Sequence, residues 1–181
     1  MKANLKNILE KIQERQLETF CSEEDFRHKK PLILPTNRCG LYWIWSNLSD
    51  DNLQKMSPEI NDSDVPISKL VTQRHGLTNI CRIAQEIAQK KFTIVYNGIG
   101  GYGKTSGGLR ERILQEFKGG KGTGSLNLSN RKNFKTENWA ISFFDFDNPI
   151  IKQAGLTYSD DAEDLERDWR IHYGTPKLTR R

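Results

Sequence analysis

Apolar side chains recur at helical spacing in several segments of the chain. In residues 3–20 they fall three or four positions apart with charged residues between them, and residues 77–90 and 109–117 repeat this spacing over shorter lengths. Side chains three and four positions apart lie on one face of an α-helix, so each segment is predicted to form an amphipathic helix. Residues 160–173 are predicted as a fourth helix that closes the chain.

Three short segments have the composition of β-strands. Residues 40–46, 92–96 and 139–144 are rich in aromatic and β-branched residues, which favour extended structure. Residues 47–66 are rich in Asn, Asp, Ser and Pro and are predicted as a long loop, and residues 21–31 as a polar connector. The order of elements predicts a small α/β fold, in the broad sense that includes α+β, with three strands around a short helix.

The length and charge of the chain limit the possible domains and partners. Its 181 residues suffice for one domain, 1–181, with a sizeable core. Residues 1–35 are predicted to form an N-terminal helical extension, and residues 46–91 form an insert between the first two strands. The chain has 28 Lys and Arg against 23 Asp and Glu, a net charge of +5, with a basic stretch over residues 104–135. A basic balance favours a polyanionic partner.

The cysteines and apolar runs exclude several classes of protein. Cys21, Cys39 and Cys81 are odd in number and widely spaced, so neither a disulfide framework nor a zinc site is predicted. The first residues lack the apolar stretch of a signal peptide, and no apolar run reaches the length of a membrane span. We therefore expect a cytoplasmic protein with no membrane partner.

Four short motifs occur in an order that points to a known family. Gly40-Leu41-Tyr42 opens the first predicted strand, and Tyr96-Asn97-Gly98 ends the second. Arg112 lies on the helix that follows, and Glu166 lies on the last helix. In these motifs and their order the chain resembles the GIY-YIG nucleases. The resemblance implies a small, mostly antiparallel three-stranded sheet flanked by helices.

The resemblance also implies a role for each of these side chains in phosphodiester hydrolysis. Tyr42 would take the proton from the attacking water, and Tyr96 would orient the water or the phosphate. Arg112 would hold a non-bridging phosphate oxygen through its forked guanidinium. Glu166 would bind Mg²⁺, or another divalent cation such as Mn²⁺, through oxygen ligands. The implied activity is that of a metal-dependent DNA endonuclease.

The sequence departs from the family pattern at three positions. Ile99 stands where many members carry Lys or Arg, and Lys104 on the same glycine-rich loop is the candidate replacement. Glu116 stands one turn after the helix arginine, where many members carry His or Tyr, and Thr179 replaces an Asn near the end of the chain. These departures leave open a second interpretation, a nucleic-acid-binding module of the same fold without catalysis.

Each candidate residue also has a purely structural interpretation. A tyrosine on a strand, such as Tyr42 or Tyr96, is most often a packing residue. Arg112 can pair with Glu116 one helical turn later. Glu166 lies in an acidic run typical of a solvated face, but aromatic and basic residues share its side of the helix, which indicates an inward-facing position.

A different motif overlaps the second strand and supports an alternative function. The segment Gly98-Ile99-Gly100-Gly101-Tyr102-Gly103-Lys104-Thr105 fits the P-loop pattern, and residues 141–145 resemble a Walker B strand. A P-loop leads directly into a helix that caps the phosphates, whereas Ser106-Gly107-Gly108 follows here, and Gly is a poor helix former. A nucleotide-binding protein remains the alternative to a nuclease.

Basic residues near these motifs are the predicted DNA contacts. Arg74 lies in the insert, where an arginine can read purine edges, and Lys104, Lys118 and Lys121 lie on or beside glycine-rich loops. A compact chain with its own recognition element suits a restriction-type or phage enzyme that acts on double-stranded DNA. Cleavage of both strands with one site per chain favours a homodimer on a symmetric sequence.

Overall fold

The protein was analysed as a computed structural model, which describes residues 5–34, 37–56, 64–103, 106–120 and 122–180. The helices are α1 Leu5–Glu18, α2 Glu23–Ile33, α3 Asp50–Gln54, α4 Ile67–Arg74, α5 Gly108–Lys118, α6 Pro149–Ala154 and α7 Tyr158–Tyr173. The strands are β1 Cys21–Ser22, β2 Gly40–Ser46, β3 Ala84–Ile87, β4 Lys90–Gly100, β5 Tyr102–Gly103, β6 Ser106–Gly107 and β7 Trp139–Asp145.

Five of the strands form one antiparallel sheet in the order β1-β7-β2-β4-β3. The α+β class and the antiparallel arrangement confirm the prediction, but the predicted three-stranded sheet was too small. Its three strands are the centre of the sheet, and the short strands β1 and β3 extend it on either side. β2 lies in the middle because all seven of its residues are buried, so both of its faces need to be covered.

Helices cover both faces of the sheet and divide the core in two. On one face, Tyr42 and Ile44 of β2 pack with apolar residues of α5. On the other, Trp43 and Trp45 pack with α1 and with Trp169 of α7. The alternation of side chains along β2 thus sends neighbouring aromatic residues into different halves of the core.

A β-bulge in β4 lies next to the Tyr96-Asn97-Gly98 motif. Ile44 pairs with Tyr96 and Trp45 pairs with Ile94, so Val95 is the extra residue. β3 pairs only with the first part of β4, up to Thr93. Beyond the bulge the C-terminal tail approaches this edge, where the amide of residue 178 donates to the carbonyl oxygen of Val95 at 2.7 Å.

The predicted helix over residues 77–90 is wrong. In its place, β3 and β4 form a hairpin whose two turn residues, Ala88 and Gln89, have φ angles of 48° and 64°. Such a turn usually carries Gly, Asn or Asp because these residues tolerate positive φ. The sequence therefore lacks the usual turn signal, and the spacing of Ile80, Ile83 and Ile87 imitates a helical face.

The polar segments predicted as connectors also contain regular structure. Residues 21–31 form β1 and most of α2, whose first turn is held by Ser22 as its hydroxyl accepts from the amide of Asp25 at 3.0 Å. Within residues 47–66, α3 begins after Ser49, whose side chain accepts from the amide of Asn52. Residues 57–63 of that predicted loop lie outside the described part. Local capping thus forms short helices in segments of low hydrophobicity.

The remaining predicted elements are confirmed, with shifts at their ends. α1, α5, α7, β2 and β7 lie on the segments predicted for them, and the second predicted strand, 92–96, extends to Lys90–Gly100. No helix in the described part of the chain is both long and apolar enough to cross a membrane.

Candidate active site

Tyr42 lies at the centre of the sheet with its hydroxyl group against α5. The side chain is fully buried, and its hydroxyl donates to Glu116 Oε1 at 2.5 Å. Glu116 is itself fully buried. Burial, and next the negative charge of Glu116, raises the pKa of Tyr42 well above its usual value. Tyr42 therefore stays protonated and acts as a hydrogen-bond donor to the carboxylate.

Three groups satisfy the carboxylate of Glu116. Besides Tyr42, Arg112 lies one helical turn earlier with Nη2 2.9 Å from Oε1, and the amide of Leu126 donates to Oε2 at 2.8 Å. Burial raises the pKa of Glu116, while Arg112, Tyr42 and Leu126 act against that rise. Burial of a carboxylate is costly unless its oxygens are hydrogen-bonded, and these three donors meet that requirement for Glu116.

Arg112 bridges α5 and the loop that follows it. Its Nη1 donates to Gln115 Oε1 at 3.2 Å and to the carbonyl oxygen of Thr123 at 3.3 Å, while Nη2 faces Glu116. The pairing of Arg112 with Glu116 at i+4 was one of the structural interpretations of the sequence, and it is confirmed. The positive charge of Arg112 also acts on Tyr42, Tyr96 and Glu166, which brings the four candidate residues into one electrostatic unit.

Tyr96 lies beside Tyr42 and reaches a cavity on the surface. The two rings have centroids 6.2 Å apart. Burial, and next the charge of Glu116, raises the pKa of Tyr96, whereas the positive charge of Arg112 and the neighbouring Tyr42 hydroxyl lower it. Tyr96 lines the cavity, but Tyr42 lies behind it and is not part of the wall.

The cavity has a volume of about 750 Å³ and lies between α7, β4 and the C-terminal tail. Tyr96 and Ile99 contribute from β4 and Glu166 from α7. The other residues of its wall are mostly polar or charged: Asn79, Asn97, Glu163, Arg167, Arg170, Ile171, Gly174, Thr175, Thr179 and Arg180. A site with carboxylates and guanidinium groups in one cavity can bind both a cation and an anionic group.

Glu166 is the carboxylate that the structure holds most firmly in this cavity. Its side chain is 14% exposed, and Arg170 Nη2 donates to its Oε2 at 3.4 Å. Burial raises the pKa of Glu166, the positive charge of Arg170 lowers it, and Glu163 raises it further. A mostly desolvated carboxylate gains from a nearby cation.

The donors of the cavity fit a magnesium ion. Mg²⁺ is bound by one or two carboxylates together with water and substrate phosphate, and Glu166 and Glu163 supply two carboxylates one turn apart. Within the described residues, no three or more His, Cys, Asp and Glu side chains are grouped so that they could hold a metal ion. A magnesium ion at Glu166 and Glu163 would therefore need water and phosphate oxygens as its other ligands.

Two of the departures from the family pattern lie in the same wall. Ile99 is apolar, but the cavity holds Arg167, Arg170 and Arg180, so positive charge is supplied from α7 and the tail. Lys104, the predicted replacement, lies outside the described residues. Thr179 is buried, and its hydroxyl donates to Asn97 Oδ1 at 3.1 Å, which fastens the tail to β4.

A second cavity of about 410 Å³ adjoins the first and carries mostly positive charge. It is lined by Asp50, Arg74, His75, Gly76, Leu77, Ile80, Cys81, Arg82, Lys91, Thr93 and Lys177. Its acidic residue Asp50 faces Lys177 and His75. Arg74 donates to the carbonyl oxygen of Pro176, and burial, followed by the charge of Arg170, lowers its pKa. Arg74 thus lies close to the cations of the first cavity.

Lys118, another predicted DNA contact, lines neither cavity. Lys118 is exposed at the end of α5, where its carbonyl oxygen accepts from the side chain of Asn130 at 2.9 Å. Lys121 lies outside the described residues. Lys118 therefore remains a predicted contact with no link to the cavity wall.

The glycine-rich segment of the P-loop alternative is divided between a strand and a short hairpin. Its first three residues, 98–100, belong to β4, and Tyr102–Gly103 forms β5, which pairs with β6 just after the segment. α5 begins only at Gly108, and Lys104 and Thr105 lie outside the described residues. A P-loop joins a strand of a parallel sheet directly to its helix. The described geometry lends the nucleotide-binding alternative no support.

Sequence reasoning missed the importance of Glu116 and of the second cavity. Glu116 was interpreted as a departure from the family pattern and as a partner of Arg112, yet it is also the hydrogen-bond partner of Tyr42. The i+4 spacing from Arg112 was the available signal, but it is equally typical of an exposed ion pair. Arg82, Lys91 and Lys177 are separated in sequence, and only the fold brings them together.

No family model, curated protein or solved structure matches the chain. The likeness to GIY-YIG nucleases therefore remains a prediction from the motifs.

Proposed function

We propose that this protein is a metal-dependent endonuclease that hydrolyses phosphodiester bonds of double-stranded DNA. The observation that carries the proposal is the convergence of Tyr96 and Glu166 on one cavity, with Arg112 and Tyr42 directly behind Tyr96. Hydrolysis of a phosphodiester requires a positioned water, stabilisation of negative charge and help for the leaving oxygen. The cavity contains side chains suited to each of these tasks.

Each residue has a role that follows from its position. Tyr96, at the wall, orients the attacking water and is the first group that can receive its proton. Arg112 stabilises negative charge beside the two tyrosines. Glu166 would hold Mg²⁺ or Mn²⁺, with Glu163 as a second carboxylate, and the bound ion would act as a Lewis acid on the phosphate oxygens.

The charge around the cavity supports a polyanionic substrate. The two cavities meet where residues 79–81 lie beside the C-terminal tail. Two backbone hydrogen bonds join them there. The amide of Thr175 donates to the carbonyl oxygen of Asn79 at 2.8 Å, and the amide of Cys81 donates to the carbonyl oxygen of Thr175 at 3.1 Å. Asn79 lines the first cavity and Cys81 lines the second. A DNA backbone that enters the first cavity would extend over the second, where its phosphates meet a basic wall.

The insert gives the proposed enzyme a means of recognising sequence. Arg74, Arg82 and Lys91 belong to or adjoin the insert and line the second cavity, so the element that departs from a minimal catalytic domain also faces the proposed path of the DNA. This placement favours a site-specific, restriction-type or phage enzyme. Dimer formation on a symmetric site stays a prediction, which sedimentation with and without duplex DNA would test.

The proposal is tested by cleavage of plasmid and phage DNA with and without Mg²⁺. We expect Mg²⁺-dependent cleavage by the wild type, lost in Glu166→Ala and strongly reduced in Tyr96→Phe. Asp164→Ala is the matched control, because it removes an exposed carboxylate from the same helix and is expected to cleave normally. Binding of DNA without cleavage in any divalent metal would instead favour the inactive binding module.

A further inference from the structure

A buried carboxylate ends a row of three hydroxyl and carboxyl groups that leads inward from the first cavity. Tyr96 is at the cavity wall, Tyr42 is behind it, and Glu116 is behind Tyr42. Tyr42 and Glu116 are both fully buried and lie 2.5 Å apart from oxygen to oxygen. The proposed hydrolysis as described above assigns no task to Glu116.

The hydrogen bond from Tyr42 to Glu116 fixes the direction in which a proton can move along this row. A phenol has one hydrogen to donate, and Tyr42 donates it to Glu116. Its oxygen can therefore only accept from its other neighbours, and the ring of Tyr96 lies next to it on the side of the cavity, with centroids 6.2 Å apart. A proton that arrives at Tyr96 can be passed inward, with each phenol giving up its own hydrogen as it receives another.

We propose that Glu116 is the terminal proton acceptor of the site and that it takes the proton of the attacking water through Tyr96 and Tyr42. This inference rests on the proposed nuclease function and specifies how its water is activated. Glu116 acts through the tyrosines and does not touch the substrate.

The transfer is balanced in atoms and charge. The water gives a proton to Tyr96 Oη, Tyr96 gives its hydroxyl proton to Tyr42 Oη, and Tyr42 gives its own to Glu116 Oε1. The electron pair of the water oxygen forms the new bond to phosphorus, the bond to the leaving oxygen breaks, and the leaving oxygen takes a proton from solvent. Glu116 ends as a neutral acid and returns its proton to solvent along the same row after the product has left.

The surroundings of Tyr42 favour a role in relaying a proton and disfavour a stable phenolate form. Burial and the adjacent carboxylate hold the pKa of Tyr42 far above neutrality, so it cannot store negative charge as a base. It can still pass a proton, since it gains and loses one in the same step. The charged and titratable groups around Glu116 are Arg112 on its own helix, Tyr42 and Tyr96 on the sheet, and Arg180 on the tail.

A buried glutamate with three donors can also serve only to stabilise the core, and two substitutions separate the roles. Glu116→Gln keeps the length and shape of the side chain but cannot accept a proton. Glu116→Asp keeps the carboxylate but shortens the side chain. If the role is proton acceptance, the Asp variant is the faster enzyme, and if the role is only structural, the Gln variant is.

The experiment measures single-turnover cleavage of supercoiled plasmid with Mg²⁺ by the wild type, Glu116→Gln, Glu116→Asp, Tyr42→Phe and the double variant Tyr42→Phe/Glu116→Gln. Duplex affinity is measured in EDTA, and folding by thermal denaturation. We expect Glu116→Gln to slow cleavage by about 100-fold or more, the scale of a lost proton-transfer group, with duplex affinity unchanged. The double variant is expected to be no slower than the slower single variant, because both changes interrupt one pathway.

Several results would overturn the inference. If Glu116→Gln cleaves at the wild-type rate, or faster than Glu116→Asp, Glu116 has only a structural role. If the losses of rate in the two single variants multiply in the double variant, Glu116 does not act through Tyr42. If both Glu116 variants fail to fold, Tyr42→Phe decides, because a wild-type rate without the hydroxyl excludes the pathway. An inactive wild type would overturn the nuclease itself, whereas an active wild type with an active Glu116→Gln overturns only the proton pathway.

Discussion

The ring of Tyr42 lies across the backbone of Gly98 on the neighbouring strand. A Cβ atom at Gly98 would stand 2.5 Å from Tyr42 Oη and 2.6 Å from its Cζ. The two residues are paired in register between β2 and β4. Because Gly98 has no side chain, the phenol can lie close to the strand and reach Glu116. The glycine of the Tyr-Asn-Gly motif therefore leaves room for the ring of Tyr42 in the Gly-Leu-Tyr motif.

Gly98→Ala is expected to displace the ring of Tyr42 and break its hydrogen bond to Glu116. Inserting one methyl group into a packed core usually costs about 1–3 kcal/mol, so the free energy of unfolding should fall by that amount. The rate of Mg²⁺-dependent cleavage should fall as well. Urea denaturation and plasmid cleavage measure the two effects.

Gly155→Ala is the control for this change. Gly155 has a φ of +70° with no atom within 4 Å of its Cβ position, so the substitution strains the backbone at the end of α6, outside the wall of the first cavity. It should reduce stability but leave the cleavage rate of the folded protein unchanged. A Gly98→Ala protein that cleaves like the wild type would show that the position of Tyr42 is irrelevant to activity.

The raised pKa of Glu166 gives a prediction for stability as a function of pH. Burial disfavours its ionised form in the fold, so the folded pKa lies above the unfolded one. The group then favours folding fully below its unfolded pKa and loses this contribution as pH rises through the folded pKa. Glu166→Gln removes the buried charge and should raise the melting temperature at pH 7.5 in EDTA.

The same comparison at pH 4 provides the control. There the wild-type carboxyl group is largely protonated in the folded protein, so wild type and Glu166→Gln should melt at similar temperatures. Asp164→Ala, on the exposed side of α7, should show neither effect. A Glu166→Gln protein that is less stable at pH 7.5 would mean that the ion pair with Arg170 outweighs the cost of burial.

The parts of the fold that sequence could predict are those with an unambiguous local pattern. β2 was predicted with its observed ends because its aromatic and β-branched residues favour a strand, and all seven of its residues are buried. β3 was not, since Ala84–Ile87 is mixed in polarity and its turn is formed by Ala88 and Gln89 at positive φ. The energy of that hairpin comes from pairing with β4 and from packing of Ile83 and Ile87, which are tertiary effects.

The candidate site divides in the same way. Tyr42, Tyr96, Arg112 and Glu166 were found from motifs, and the fold brings them together. The burial of Glu116 was not predictable, because an Arg and a Glu one helical turn apart are typical of a solvated face. Only the close approach of β2, α5 and the Leu126 loop turns this pair inward. The long-range packing thus decides what the side chain does.

Arg82 and Lys91 should contact phosphates if DNA extends over the second cavity. Both line that cavity and are exposed. Arg82→Ala and Lys91→Ala should each weaken duplex binding by a similar factor for all sequences and reduce the slope of log affinity against log salt by about 1. Fluorescence anisotropy with a labelled duplex at several salt concentrations measures both quantities.

Lys29→Ala is the matched control for the phosphate contacts. Lys29 is an exposed lysine on α2 that pairs with Asp25 and lines neither cavity, so its loss should not change the salt slope. The rate of cleavage at saturating DNA should stay at the wild-type value in Arg82→Ala and Lys91→Ala. Unchanged binding in both variants would exclude this path for the DNA.

The contact between Thr179 and Asn97 should hold the tail in the wall of the first cavity. Both side chains are buried, and the hydroxyl of Thr179 donates to Asn97 Oδ1 at 3.1 Å. Thr179→Val keeps the shape of the side chain but leaves the amide oxygen without this donor, which typically costs about 1–3 kcal/mol. Urea denaturation should show this loss. Cleavage should fall too, because the tail carries Arg180 into the cavity.

Thr72→Val shows what the loss of a hydroxyl group does elsewhere. Thr72 lies on α4, and its hydroxyl donates to the carbonyl oxygen of Ser68 at 3.0 Å in an exposed position, so its removal should change stability by less than about 0.5 kcal/mol. If Thr179→Val behaves like this control in both assays, the tail is held by the backbone bond to Val95 and the position of Arg180 does not depend on Thr179. If only cleavage falls, the hydroxyl acts on the geometry of the cavity more than on the stability of the fold.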